Sequence, residues 1–191
     1  MCIRDRVAYR FDNLALFEAL RLEPYLDTTA RAHPDLAPAL AEVRSAYLAN
    51  RRVLLHGDVS PKNVLVGPEG PVLLDAECAT WGDPAFDLAF CATHLLLKCR
   101  WNPAATDGFL HCYDRLVVTY LEQVTWEPPR EVEERAALLV GALLLGRVDG
   151  KSPVEYLDPA DQEATRASAR SLLQRPAPSM AGVRARWAEA L

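Results

Sequence analysis

Leu54–Asp87 reads LLHGDVSPKNVLVGPEGPVLLDAECATWGDPAFD, and its punctuation decides how the chain folds. Two short apolar runs, Val53–Leu55 and Val64–Val66, flank the polar insert His56–Asn63. A third run, Val72–Leu74, follows a Gly/Pro turn and ends on Asp75. Short β-branched runs between turn residues predict a small hairpin-like set of strands. The polar residues fall where strands end, and there a rigid scaffold presents side chains to a ligand.

The spacing of those residues carries chemistry. Asp58 is followed by four residues and then Asn63, and Asp75 closes the next apolar run. Phosphoryl transfer from a nucleotide needs one carboxylate to orient the acceptor hydroxyl. It also needs an amide oxygen and a second carboxylate to hold Mg²⁺ against the phosphates. His-x-Asp-x₄-Asn, then a strand and Asp, supplies that set in the order of a kinase catalytic loop and its metal-binding aspartate.

His56-Gly57-Asp58…Asn63, then Leu74-Asp75-Ala76-Glu77, then Gly82-Asp83-Pro84…Asp87 resembles the aminoglycoside phosphotransferase and choline kinase superfamily. The resemblance is close over Leu54–Phe90 and loose elsewhere. It implies the C-terminal lobe of a protein-kinase-like fold and transfer of the γ-phosphate of ATP to a hydroxyl of a small molecule. It assigns Asp58 to catalysis, and Asn63 and Asp75 to Mg²⁺. His56 and Asp87 become structural supports of the site. Glu77 falls near the metal or is a solvated charge. Gly57 stands where protein kinases have Arg, which implies that no activation-loop phosphate is read. Ser60 stands where protein kinases place a Lys, so the resemblance does not name the cation that assists Mg²⁺. It also implies an N-terminal β-rich ATP lobe. The first fifty residues show neither its Gly-rich loop nor its strand lysine, so that lobe is expected to be missing.

Composition sets bounds. The chain has 191 residues, half of them hydrophobic and a quarter charged, which suits one soluble domain over 1–191 with a sizeable core. A net charge of −5 argues against nucleic acid as the main partner. No apolar run is long enough for a bilayer. Five scattered cysteines fit core residues in a reducing cytoplasm rather than a zinc site.

Around the motif the chain reads as helical, giving an α+β, mainly helical fold. Met1–Arg6 has no pattern and reads as a non-native start. A short amphipathic helix over Asn13–Leu22 should end at Pro24, with a connector over Asp27–Asp35 and a helix from Pro34 to Asn50. Asp83-Pro84 should open a buried helix through Phe86–Cys99. Further helices are expected at Pro103–Gln123, Glu131–Leu145, Asp158–Leu173 and Met180–Leu191, completing a substrate-side bundle over 84–191.

Gly146–Ser152 imitates a phosphate-binding P-loop, but it has one residue too few between its glycines and follows a helix instead of a strand. A helix C-terminus explains it. Arg147 or Lys151 then becomes a possible substrate-side group. Trp81, Trp101 and Trp126 allow an aromatic cage, though core packing is their ordinary role. Two rival readings remain: a catalytically inert helical module, and a metal-dependent phosphohydrolase built on His56, Asp58, Asp75 and Asp83. Without a second lobe, the face around Leu54–Asn63 and the first helix should lose cover and leave apolar surface open.

Overall fold

Two short antiparallel ladders hold the polar insert between them. Strand β1 (Val53–Leu55) pairs with β4 (Thr80–Gly82), Val53 opposite Gly82 and Leu55 opposite Thr80. Strands β2 (Val64–Gly67) and β3 (Gly70–Leu73) form a hairpin, with Gly67 opposite Gly70 at its tip. The computed structural model describes residues 8–191, and the start expected to be irregular, residues 1–6, lies outside them. The predicted set of strands is therefore two separate two-stranded sheets. β4 was not expected, because Thr80-Trp81-Gly82 carries no apolar run of the kind that marked β1.

The N-terminal helical region departs from expectation. Helix α1 (Leu14–Phe17) widens into a π-helical segment over Glu18–Asp27 and tightens again into α2 (Thr28–Ala32). Pro24 does not end the helix, and much of the supposed connector after Asp27 is helical. Proline breaks an α-helix because its ring meets the carbonyl four residues back and its nitrogen donates nothing. The wider π turn relaxes that conflict. Leu22, Pro24, Tyr25 and Leu26 are buried along this segment, so packing compensates for the irregular backbone.

Helix α3 (Ala37–Ala49) leads into β1, and α4 (Ala85–Trp101) follows β4. Helices α5 (Thr106–Glu122), α6 (Pro129–Asp149), α7 (Pro159–Gln174) and α8 (Met180–Glu189) complete the bundle. α6 runs a turn beyond Leu145. The side chain of Asp158 caps α7 by accepting from the Asp161 amide at 2.8 Å, as Asp before a helix does.

α4 and α6 pack against each other at the centre, flanked by α5 and α7. Both are apolar on most sides, which is how a wholly internal helix reads. An aromatic knot joins this centre to the motif. Phe17 stacks on Tyr47 with centroids 5.1 Å apart and meets Phe86 edge-on at 4.8 Å. Leu55 of β1 belongs to the same core. The hairpin is different: Leu65, Val66, Val72 and Leu73 are all exposed. Among the described residues, no helix is long and apolar enough to cross a membrane.

Candidate active site

The loop after β1 is shaped by its glycine and by one carboxylate. Gly57 has φ +79°, and a Cβ there would lie 2.7 Å from the carbonyl oxygen of Cys78. Only glycine meets both demands, left-handed backbone and close approach. The amides of His56 and Gly57 donate to Asp87 Oδ2 and Oδ1 at 2.8 and 2.9 Å. Asp87 in the first turn of α4 thus clamps the loop to the helix. Burial pushes its carboxyl up, and the two amides pull against that. The His56 ring accepts from the Asp58 amide at 3.2 Å, a role within the loop itself.

Asp58 is buried and held at both oxygens. Asn63 Nδ2 donates to Asp58 Oδ2 at 2.8 Å and to the Asp58 carbonyl at 3.0 Å. On the other side, Arg21 Nη2 lies 3.3 Å from Asp58 Oδ1, and Arg21 Nε donates to the Gly57 carbonyl at 2.6 Å. Arg21 comes from the π-helical segment, thirty-six residues from Gly57. The Leu74 amide donates to the Asn63 carbonyl at 2.8 Å, which joins this loop to the one that carries Asp75.

Asp75 adopts a left-handed conformation, φ 64° and ψ 52°. Asp tolerates that region better than most residues, and such backbones gather at functional sites. Its exposed side chain makes no hydrogen bond or ion pair among the described residues. Asp58, Lys62, Asp75 and Glu77 line a polar cavity of about 260 Å³ together with Arg21, Tyr25, His94, Arg147 and neighbours. Lys151 lies outside it, 3.8 Å from Glu23. No tryptophan lines it. Trp101 instead meets Tyr156 and lies under the Lys98 ammonium.

The donor set suits a hard cation. With its Nδ2 committed to Asp58, Asn63 has its amide oxygen free as a ligand, and Asp75 offers a carboxylate. Among the described residues, no group of three or more His, Cys, Asp or Glu forms a metal site by itself. Mg²⁺ fits such a partial set because it takes one or two protein oxygens and completes its shell with water and phosphate. Asp83 is committed elsewhere. It is fully buried, it caps α4 at the Ala85 amide, and Arg135 binds both its oxygens at 2.9 and 3.0 Å. That leaves the phosphohydrolase reading without one of its four ligands.

The sequence model of the phosphotransferase enzyme family matches residues 4–133. The chain belongs to that family. It is a member of the aminoglycoside phosphotransferase and protein-kinase-like superfamily, with a mainly helical lobe and small antiparallel sheets. Similar curated proteins are small-molecule kinases by name. Methylthioribose kinase 1 of Oryza sativa subsp. japonica is 30% identical over 77 residues, 39% of this chain and 18% of that protein. Methylthioribose kinase 2 of the same plant is 29% identical over 77 residues, again 39% and 18%. A probable ketoamine kinase of Klebsiella pneumoniae is 40% identical over 58 residues, 29% of this chain and 46% of that protein. The chain thus matches less than half the length of each.

Arg21, Tyr25 and His94 line the cavity but were not singled out in the sequence. Only His94 left a signal, as a lone imidazole inside the apolar run Phe86–Cys99.

Proposed function

We propose that this chain carries the catalytic lobe of an ATP-dependent phosphotransferase acting on a hydroxyl of a small molecule. The observation that supports it most is the fixing of Asp58. Asn63 and Arg21 hold its two oxygens on the wall of a cavity that also receives Asp75. Asp58 accepts a hydrogen bond from the acceptor hydroxyl, sets its oxygen in line with the transferred phosphoryl group and takes its proton. Asn63 and Asp75 would hold Mg²⁺, which supplies charge neutralisation at the phosphate oxygens when bound. Lys62 and Arg21 are the cations placed to share that task. His56 and Asp87 keep the loop backbone rigid, and rigid placement of charge is where most of the rate gain arises.

The exposed β2–β3 hairpin supports a second element in the working enzyme. Leu65, Val66, Val72 and Leu73 leave an apolar face open to water, and a β-rich nucleotide lobe seated there would cover it. An isolated chain that keeps this face open associates or precipitates.

Calorimetry of Mg²⁺-ATP with the 191-residue chain, with Asp75→Ala as control, tests nucleotide binding; an acceptor screen by phosphate transfer tests the reaction. Asp58→Asn in an active form abolishes turnover and leaves nucleotide binding in place. Near-normal turnover in that variant would rule out the role given to Asp58. A chain that binds no nucleotide, alone or with a nucleotide lobe supplied, is an inert helical module.

A further inference from the structure

One wall of the cavity is formed by Tyr25, His94 and Arg147, brought in from the π-helical segment, α4 and α6. We infer that this wall binds an anionic group of the acceptor, a carboxylate or phosphate ester, so that the substrate is a small hydroxy acid or polyol phosphate rather than an aminosugar or a quaternary amine. The substrate class rests on the phosphotransferase reading above; the anion site does not.

Arg147 is a cation without an acid. Its Nη1 donates to the Tyr25 hydroxyl at 2.9 Å and to the Ser152 carbonyl at 2.7 Å, both neutral. Its Nε is buried with no partner, and no carboxylate pairs with it among the described residues. Of the other cations near the site, Arg21 pairs with Asp58, Lys151 with Glu23 and Arg135 with Asp83. Lys62, also on the cavity, has no ion pair among the described residues but is exposed to water, whereas the Arg147 Nε is buried. In a chain of net charge −5, acids are plentiful, so an arginine without one at a cavity wall stands out. The Tyr25 ring lies 5.6 Å from the guanidinium carbon, and with the two hydrogen bonds it fixes the plane that a carboxylate or phosphate would meet.

His94 is the second observation. It is only 8% exposed, lines the cavity and makes no hydrogen bond among the described residues. Its ring meets Phe90 edge-on, with centroids 5.1 Å apart. Burial holds the imidazole far below its usual range, at about 3, and Arg147 is the largest of the charges that add to this. The ring is therefore neutral at pH 7 and can donate an N–H to an anion. A buried polar group aimed into a cavity without a partner is costly unless a ligand or water satisfies it. A cationic acceptor would meet Arg147 as a like charge. The cavity volume of about 260 Å³ suits a molecule of few carbons.

The test uses the whole chain with labelled histidines, without nucleotide. D-glycerate, glycerol 3-phosphate and glycerol are titrated while the His94 ring signals, assigned with His94→Gln, are followed by NMR. At least one anion shifts them and binds about tenfold or more tighter than glycerol, the scale of one charge-assisted contact; which one binds separates carboxylate from phosphate. Arg147→Gln removes the preference, and Arg147→Lys, which keeps the charge, retains part of it. Equal binding of glycerol, anion binding unchanged in Arg147→Gln, or no anion shift overturns the inference. Anion binding with no phosphoryl transfer to any bound acceptor, with a nucleotide lobe supplied, sinks the phosphotransferase reading and leaves the anion site standing.

Discussion

Replacing Arg135 by Met should cost more than any other single change on the surface of α6. Arg135 bridges Asp83, whose oxygens lie 2.9 and 3.0 Å away, and Glu127, at 2.9 and 3.0 Å. Both carboxylate side chains are fully buried, and the arginine side chain is 14% exposed. The variant leaves two acids in the interior without their shared cation. Breaking a buried pair costs about 3–5 kcal/mol, and at this size that corresponds to a fall in Tm of roughly 6–20 °C. The loss should depend on pH. Burial already raises the Asp83 carboxyl above its usual range, against the pull of Arg135, and removing Arg135 raises it further. A carboxyl raised in the folded state binds its proton more tightly folded than unfolded. Its penalty is present above the folded pKa and disappears as pH falls toward the unfolded value. Urea unfolding of wild type and Arg135→Met at pH 7 and pH 5 should therefore show a smaller gap at the lower pH. A gap below about 1 kcal/mol, the scale of an exposed ion pair, or one that is the same at both pH values, refutes the reasoning.

Gly57→Ala should destabilise by at least about 1–2 kcal/mol from left-handed backbone alone, with the clash against the Cys78 carbonyl added, as thermal unfolding would measure. It should also abolish phosphoryl transfer, because the amide of Gly57 helps anchor the loop to Asp87; unchanged stability would contradict the geometry. Stability should fall as pH drops below about 6.5, because unfolded His94 takes up a proton that the folded ring, held at about 3 by burial and nearby cations, does not. The slope is up to about 1.4 kcal/mol per pH unit for one such group, and His94→Phe should flatten it between pH 6 and 5. Arg21→Met should lower kcat much more than it changes acceptor KM, with partial rescue by added guanidinium, because it frees one oxygen of Asp58; a pure KM effect would place Arg21 in acceptor binding instead.

The parts of the site that were legible in the sequence are those that lie close together along the chain. Asp58, Asn63 and Asp75 sit within one strand–loop–strand unit, so their spacing carries their geometry. The Asp-Pro start of α4 and the Asp158 cap of α7 are likewise local. Arg21, Tyr25 and His94 were not legible, because they reach the cavity through the packing of the π-helical segment and α4. Arg21 meets Gly57 across thirty-six positions, and Arg135 meets Asp83 across fifty-two. The helix through Pro24 was missed for another reason: the rule that proline stops a helix assumes α geometry, and here the backbone widens. The glycines of the false P-loop show the same limit. A Cβ at Gly146 would lie 2.6 Å from the Tyr25 carbonyl oxygen, so that glycine lets α6 approach the π-helical segment.

Asp87 and His94 lie seven residues apart on α4. The first grips the loop of Asp58 and the second lines the cavity. Two helical turns separate them by about 10 Å along the axis, and a helix packed on most sides cannot stretch. α4 is therefore a ruler. On the proposed function, it sets the distance between the carboxylate that activates the hydroxyl and the wall that reads the far end of the acceptor. Lengthening the acceptor would require a smaller side chain at position 94, because loop variation elsewhere leaves that distance unchanged.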